Sequence, residues 1–170
     1  MFAFLLRTFL AGGAVLALAA GAGVPARAQG LLTTHRVPAA LANEAVGAAV
    51  EACKGEGFAV SAVLVDASGA RQALLRGDFA GVHTLDSAQD KAYTSASFKA
   101  NTAVVRERIM GNPQASGLAV LPNVLMVGGG VPIKVGDEVI GGIGVGGTPS
   151  AETDEACAQA GLDRIKDRLK

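Results

Sequence analysis

Tryptophan is absent, tyrosine occurs once and aromatic residues make up 4% of the chain. The aromatic platforms interleaved with lysine and arginine that hold nucleic acid are therefore missing, and no basic patch replaces them. Charge of one sign is lacking too: 15 basic and 15 acidic residues balance, so no net field steers a polyanion. Two histidines and two distant cysteines give none of the ligand spacing of a structural zinc site. No serine stands in a G-x-S-x-G elbow. A thiol–imidazole couple built from Cys53 or Cys157 with His83 makes a poor nucleophile if the cysteines are paired. These absences argue against a hydrolase.

What is present begins with an apolar leader. Arg7 precedes an uncharged Leu/Ala/Gly/Val run over residues 8–24, and Ala26-Arg27-Ala28 has the small-x-small form of a signal-peptidase site. The run is short and glycine-rich for a span of about 20 residues. The expectation is therefore a secretory signal, residues 1–28, cleaved to give a mature start at Gln29 and a periplasmic or secreted protein with no stable membrane insertion. An uncleaved membrane anchor is the alternative. Cleavage removes Arg7 and Arg27 from the 15 basic residues and no acid, leaving 13 basic against 15 acidic. In an oxidising compartment Cys53 and Cys157 can form one disulfide. Two separately packed thiols are the alternative, and the bridge is favoured because closing a loop of more than a hundred residues adds about 4 kcal/mol on the chain-entropy model.

The remainder reads as one domain, residues 38–170, after a loose segment at 29–37 that holds His35, read as a solvated residue. Pro38 starts a helix with Leu41, Ala45, Ala49 and Cys53 at helical spacing, closed by Lys54 and glycines. Residues 58–65 form an apolar strand, Asp66 to Gly69 a turn, and residues 71–76 the return strand. A second helix, capped by Thr84, is expected to run to about Ile109. Residues 110–121 are an irregular connection and residues 123–127 a short strand. Residues 131–135 and 138–145 make a second hairpin around Gly136-Asp137, and Ser150 caps the last helix. Hairpins joined by helices, without strand–helix–strand alternation, predict an α+β domain with a five-stranded antiparallel sheet in the order α-β-β-α-β-β-β-α.

The stretch on which this plan turns is RGDFAGVHTLDSAQDKAYTSASF, residues 76–98. On its helix Leu85, Ala88, Ala92 and Ala96 make a narrow apolar face suited to close packing on a sheet. Beside it Ser87, Lys91, Thr94 and Phe98 line up at successive turns, with His83 just ahead. That second stripe is either a partly solvated flank or a binding face. His83, near Arg76, is the best single candidate for a ligand to iron, with a surface or hydrogen-bonded loop histidine as the equal alternative. Two motifs are set aside. Gly142 to Gly147 matches G-x-G-x-x-G, but too little chain follows to close a dinucleotide-binding βαβ unit, so its glycines are read as room beside the sheet for a helix, a neighbouring subunit or a flat ligand. Arg76-Gly77-Asp78 is an RGD tripeptide at a strand end, and adhesion is not expected of it.

Several longer stretches, VDASG, RGDFAG, KAYTSASF and GGVPI…GDEVIGGIGV…DEACAQAG, resemble the GlcG/HbpS family of haem-binding proteins over nearly the whole mature domain. The resemblance implies a profilin-like α+β domain that forms homo-oligomers and binds a small ligand, with haem (haem b) named for exported members. It also implies sensor kinases or transporters as partners and, for some relatives, haem degradation. Threonine and histidine have both been implicated at the iron in such proteins. Thr94, within KAYTSASF, is carried over as an alternative metal ligand to His83. Arg76 and Lys91 would then lie near propionates, and Phe79 and Phe98 against the macrocycle. Where relatives often have a glycine in an RxDGA motif, this chain has Phe79. The leading expectation is an exported haem-binding protein for storage, transfer or sensing. A slow haem-degrading enzyme, or an accessory module binding another ligand or none, are the alternatives.

Overall fold

The computed structural model describes Gly30 and residues 32–169, so the expected signal segment and the start at Gln29 lie outside the described residues. The folded unit begins at Thr33. No helix among the described residues is long and apolar enough to cross a membrane.

Helix α1, Ala39–Gly55, follows Pro38, whose fixed φ pre-shapes the first turn, and buries Ala42, Ala45, Val46, Ala49, Val50 and Cys53 at helical spacing. Strand β1, Ser61–Asp66, is buried throughout, because the sheet is covered on both faces. Strand β2, Arg71–Arg76, returns antiparallel, with Ser61 opposite Arg76. After the loop come α2, His83–Phe98, α3, Thr102–Met110, and a 3-10 turn, Pro113–Val120. Strands β3, Gly130–Val135, and β4, Glu138–Gly146, form the second hairpin, and α4, Ala151–Asp163, closes the unit. The sheet has four strands in the order β2-β1-β4-β3, every pair antiparallel.

Helices α1 and α4 cover one face, where Ala62, Leu64, Ala73, Ile133 and Ile143 meet Ala45, Ala49 and Ala158. Helix α2 covers the other, where Val63 and Val65 meet Ala88, Ala92 and Ala96. Ala88, Ala92 and Ala96 of the predicted narrow apolar stripe therefore pack on the sheet, while its Leu85 is half-buried outside this cluster. The alanines can do so because β4 is glycine-rich: a Cβ added at Gly144 would lie 2.2 Å from the carbonyl oxygen of Ala88 and 2.5 Å from the nitrogen of Ala92. The G-x-G-x-x-G-like run thus lets a helix backbone approach a strand. Gly144→Ala is expected to lower stability by about 1–3 kcal/mol through overpacking, seen as a lower urea midpoint at unchanged slope. An unchanged midpoint would mean that the two layers do not touch there.

Two features differ from the sequence expectation. The long second helix is broken, since Lys99 takes a left-handed conformation (φ 56°) that ends α2 before α3 begins. Residues 123–127 are not a strand, so the sheet has four strands where five were expected. Asn123 is also left-handed, with φ 62°. The backbone polar groups here are met by side chains in place of a ladder. Leu125 N donates to Thr94 Oγ1 at 2.8 Å, and Val127 O accepts from Thr102 Oγ1 at 2.7 Å.

The termini of the elements are held by local chemistry. In the first hairpin turn Asp66 Oδ1 accepts from Ser68 N at 2.9 Å and Ala70 N at 3.1 Å, and its second oxygen pairs with Arg36 at 2.9 Å. Burial alone would push this carboxyl upward, but the hydrogen bonds from Ser68 and Ala70 and the charge of Arg36 outweigh it and hold its pKa below the ordinary value. Ser150 caps α4 as expected, accepting from Thr153 N at 3.3 Å. The expected bridge is present: Cys53 and Cys157 form a disulfide that ties α1 to α4, with Cα atoms 5.6 Å apart.

Candidate functional site

The loop from Arg76 to His83 is built from its own backbone. Gly77 N donates to Val60 O at 2.8 Å, and Ala80 N donates to Gly77 O at 3.1 Å. The Arg76 guanidinium folds back onto the carbonyl of Ala80, with Nε at 2.7 Å. At the far end Thr84 N and Thr84 Oγ1 both donate to Gly81 O, at 3.0 and 2.6 Å. Ser61 Oγ lies 2.7 Å from Thr84 Oγ1. Since the one hydroxyl proton of Thr84 already points at Gly81, Ser61 is the donor in that pair. Thr84 is thus not the predicted N-cap. The helix starts at His83 with Val82 as its N-cap, two residues earlier, and the threonine anchors the loop to β1.

This frame presents two side chains outward. Phe79 is 99% exposed, with a left-handed φ of 65°. His83 is exposed at the first position of α2, its ring so close over Gly81 that a Cβ there would lie 2.6 Å from it. Against the loop, between it and the end of α1, runs a groove of about 480 Å³, within the size range of small-molecule sites. Val50, Phe58, Val60 and Leu75 form its apolar wall and Phe79 its rim, with Lys54 and Arg76 as cations and Glu51 and Asp78 as anions. A smaller hollow of about 350 Å³ beside the start of α4 carries Glu152 and Glu155, a poor lining for an acidic ligand.

The second stripe of α2 behaves differently. Lys91 and Asp154 are 5% and 4% exposed and pair at 2.7 Å, Nζ to Oδ2. Lys91 Nζ also donates to Val145 O at 3.0 Å, while Asp154 Oδ1 accepts from Thr148 N at 3.1 Å. Thr94 is wholly buried, its hydroxyl oxygen accepting from Leu125. A Cβ at Gly146 would lie 2.4 Å from Ser87 Oγ, so the stripe runs under the sheet's glycines and is not an open face. Phe98 is half-buried at the end of the helix. The structure therefore gathers Arg76 and Phe79 at one groove, sets His83 on the same loop outside its lining, and places Lys91 and Thr94 inside the protein. Sequence reasoning missed Phe58, Leu75 and Lys54. Their signal was faint: Leu75 shares the inward face of β2 with Ala73, yet lies beyond the cover of α1.

A family model described as haem degrading protein, HbpS-like, matches residues 37–163. The chain belongs to that family. Among solved structures, an HbpS double mutant from Streptomyces reticuli is 38% identical, with a TM-score of 0.75, over 84% of this chain and 97% of that one. A complex of PduOC with haem is 26% identical, with a TM-score of 0.71, over 77% and 96%. An uncharacterised 15.0 kDa protein of Citrobacter freundii, from the dhaT–dhaS intergenic region, is 29% identical over 59% of this chain and 71% of its own length. The GlcG/HbpS resemblance read from the motifs is thus met in both sequence and fold.

Proposed function

We propose that this HbpS-like chain is an exported haem-binding protein that stores, transfers or senses haem. One observation carries the reading: a hydrogen-bonded loop presents an exposed imidazole and an exposed aromatic ring beside a groove with an apolar wall, two cations and two anions. A structural relative that was crystallised with haem supports it. The residues present fit such a ligand in part. His83 is exposed and would face an iron, Phe79 offers a flat apolar surface, and the groove's cations for carboxylates of a bound macrocycle are Arg76, which also holds Ala80 O, and Lys54, 3.7 Å from Glu51. Thr94 and Lys91 do not fit these roles as they stand, because their polar atoms are bonded inside the protein. Bound haem b supplies a redox-active iron and a strong Soret absorption. The protein's own part is to orient it and shield one face from water.

The test is a haemin titration followed by optical spectra for the wild type and His83→Ala. The variant is expected to shift the Soret band and to bind at least about tenfold more weakly, which is about 1.4 kcal/mol. An unchanged band and affinity would remove His83 from the site. Export rests on the apolar segment with its Ala26-Arg27-Ala28 site. Association with further copies, and a sensor kinase or transporter as the downstream partner, belong to the same proposal.

A second reading, slow haem breakdown, is favoured by the description of the family itself. It differs in outcome: with a reductant or peroxide the Soret band decays and iron is released faster than from haem beside an inert protein.

A further inference from the structure

Phe79 combines two features that a surface residue has no reason to keep. Its backbone sits at φ 65°, a region that bulky side chains avoid and glycine enters freely. Its side chain is almost fully exposed, so no burial within the chain offsets either the strain or the apolar surface shown to water. Strained positions persist where the surroundings over-determine them, and they gather at ligand clamps. The surroundings here do over-determine the loop, through the bonds from Arg76 to Ala80, Ala80 to Gly77 and Gly77 to Val60. A glycine at this position would satisfy the same loop with less strain. The ring is therefore the part that needs explaining, and it stands at the rim of the groove walled by Val50, Phe58 and Leu75.

We propose that Phe79 is the affinity-determining wall of this groove, held in a glycine-type backbone at the expense of stability, and that the groove takes the flat face of a carboxylate-bearing tetrapyrrole whether or not it carries iron. The inference rests on the haem-binding reading and extends it, because the groove and His83 are separate features: the histidine is not part of the groove lining. An aromatic ring and an apolar floor recognise a macrocycle by stacking and area, while Arg76 and Lys54 recognise its acidic arms. None of these contacts involves a metal.

Wild type, Phe79→Gly and Phe79→Tyr are titrated with haemin and with iron-free protoporphyrin IX, and each variant is melted without ligand. Phe79→Gly is expected to keep the wild-type Tm or raise it by about 2–4 °C. It is expected to bind both haemin and protoporphyrin IX about tenfold more weakly, whereas Phe79→Tyr stays close to wild type. Wild-type affinity in Phe79→Gly overturns the proposal, and a lowered Tm overturns the strain argument beneath it. If the wild type binds haemin but not protoporphyrin IX, the metal-independent groove is wrong and haem binding stands. If the wild type binds neither, the haem reading falls as well.

Discussion

Lys91→Met is expected to destabilise the protein by about 3–5 kcal/mol, the range for removing one partner of a buried ion pair. The substitution is close in shape, so packing changes little. What remains is the carboxylate of Asp154, 4% exposed, without the ammonium 2.7 Å away. Val145 O loses its donor at the same time. Against a total of about 5–15 kcal/mol for an ordinary domain, such a loss brings the fold close to its limit. Urea unfolding of wild type, Lys91→Met, Asp154→Leu and the double variant measures it. The double variant should recover part of the loss, since no charge is then left buried alone, but not all of it, because Thr148 N still lacks its acceptor. A cost below about 1 kcal/mol for Lys91→Met would mean that the pair is open to water. The same variant, where folded, should leave a haem spectrum unchanged, since the amine serves the fold and not a propionate.

Opening the Cys53–Cys157 bridge is the other large effect. The two cysteines are 104 residues apart in sequence, and on the chain-entropy model closing a loop of that size stabilises by about 4–5 kcal/mol, with a measured range of about 2–5 for native bridges. Both residues are buried between α1 and α4, so Cys53→Ala with Cys157→Ala also loses packing. The double alanine variant should therefore unfold at a urea midpoint below that of the oxidised wild type by at least the amount that reduction of the wild type produces. A midpoint shift worth less than about 1 kcal/mol would show that the helices are held together without the bond. The groove gives this a functional side. Val50, Glu51 and Lys54, on either side of Cys53, form its α1 wall, so loosening that helix end should weaken ligand binding as well.

Much of the architecture could be read from the chain because local signals and burial agree. Pro38, the Asp66–Gly69 turn, Gly136-Asp137 and Ser150 mark element ends by chemistry that acts within a few residues. The two departures have the opposite character. The local signal at the break is faint: Lys99 itself takes the left-handed conformation, and the helix-start residue is Asn101, the N-cap of α3, set within an otherwise helix-compatible run. Residues 123–127 are apolar enough to pass for a strand, but their polar backbone is met by Thr94 and Thr102 from elsewhere in the chain. The site divides in the same way. The loop from Arg76 to His83 was legible as the polar stretch between the return strand, ending at Arg76, and the second helix. The destination of Lys91 was not, since a polar residue beside an apolar helical stripe looks like a solvated flank until a partner 63 residues away buries it. Leu75 was hidden likewise, because strand alternation says which face it occupies but not where the covering helix stops.

The claim on which the functional account depends is that the loop and its groove hold haem. It is tested most directly by equilibrium titration of the purified wild-type protein with haemin, followed at the Soret band and compared with an inert protein of similar size. The account predicts a saturable change with a defined stoichiometry. A spectrum that follows free haemin at every ratio, with no saturation, would contradict it.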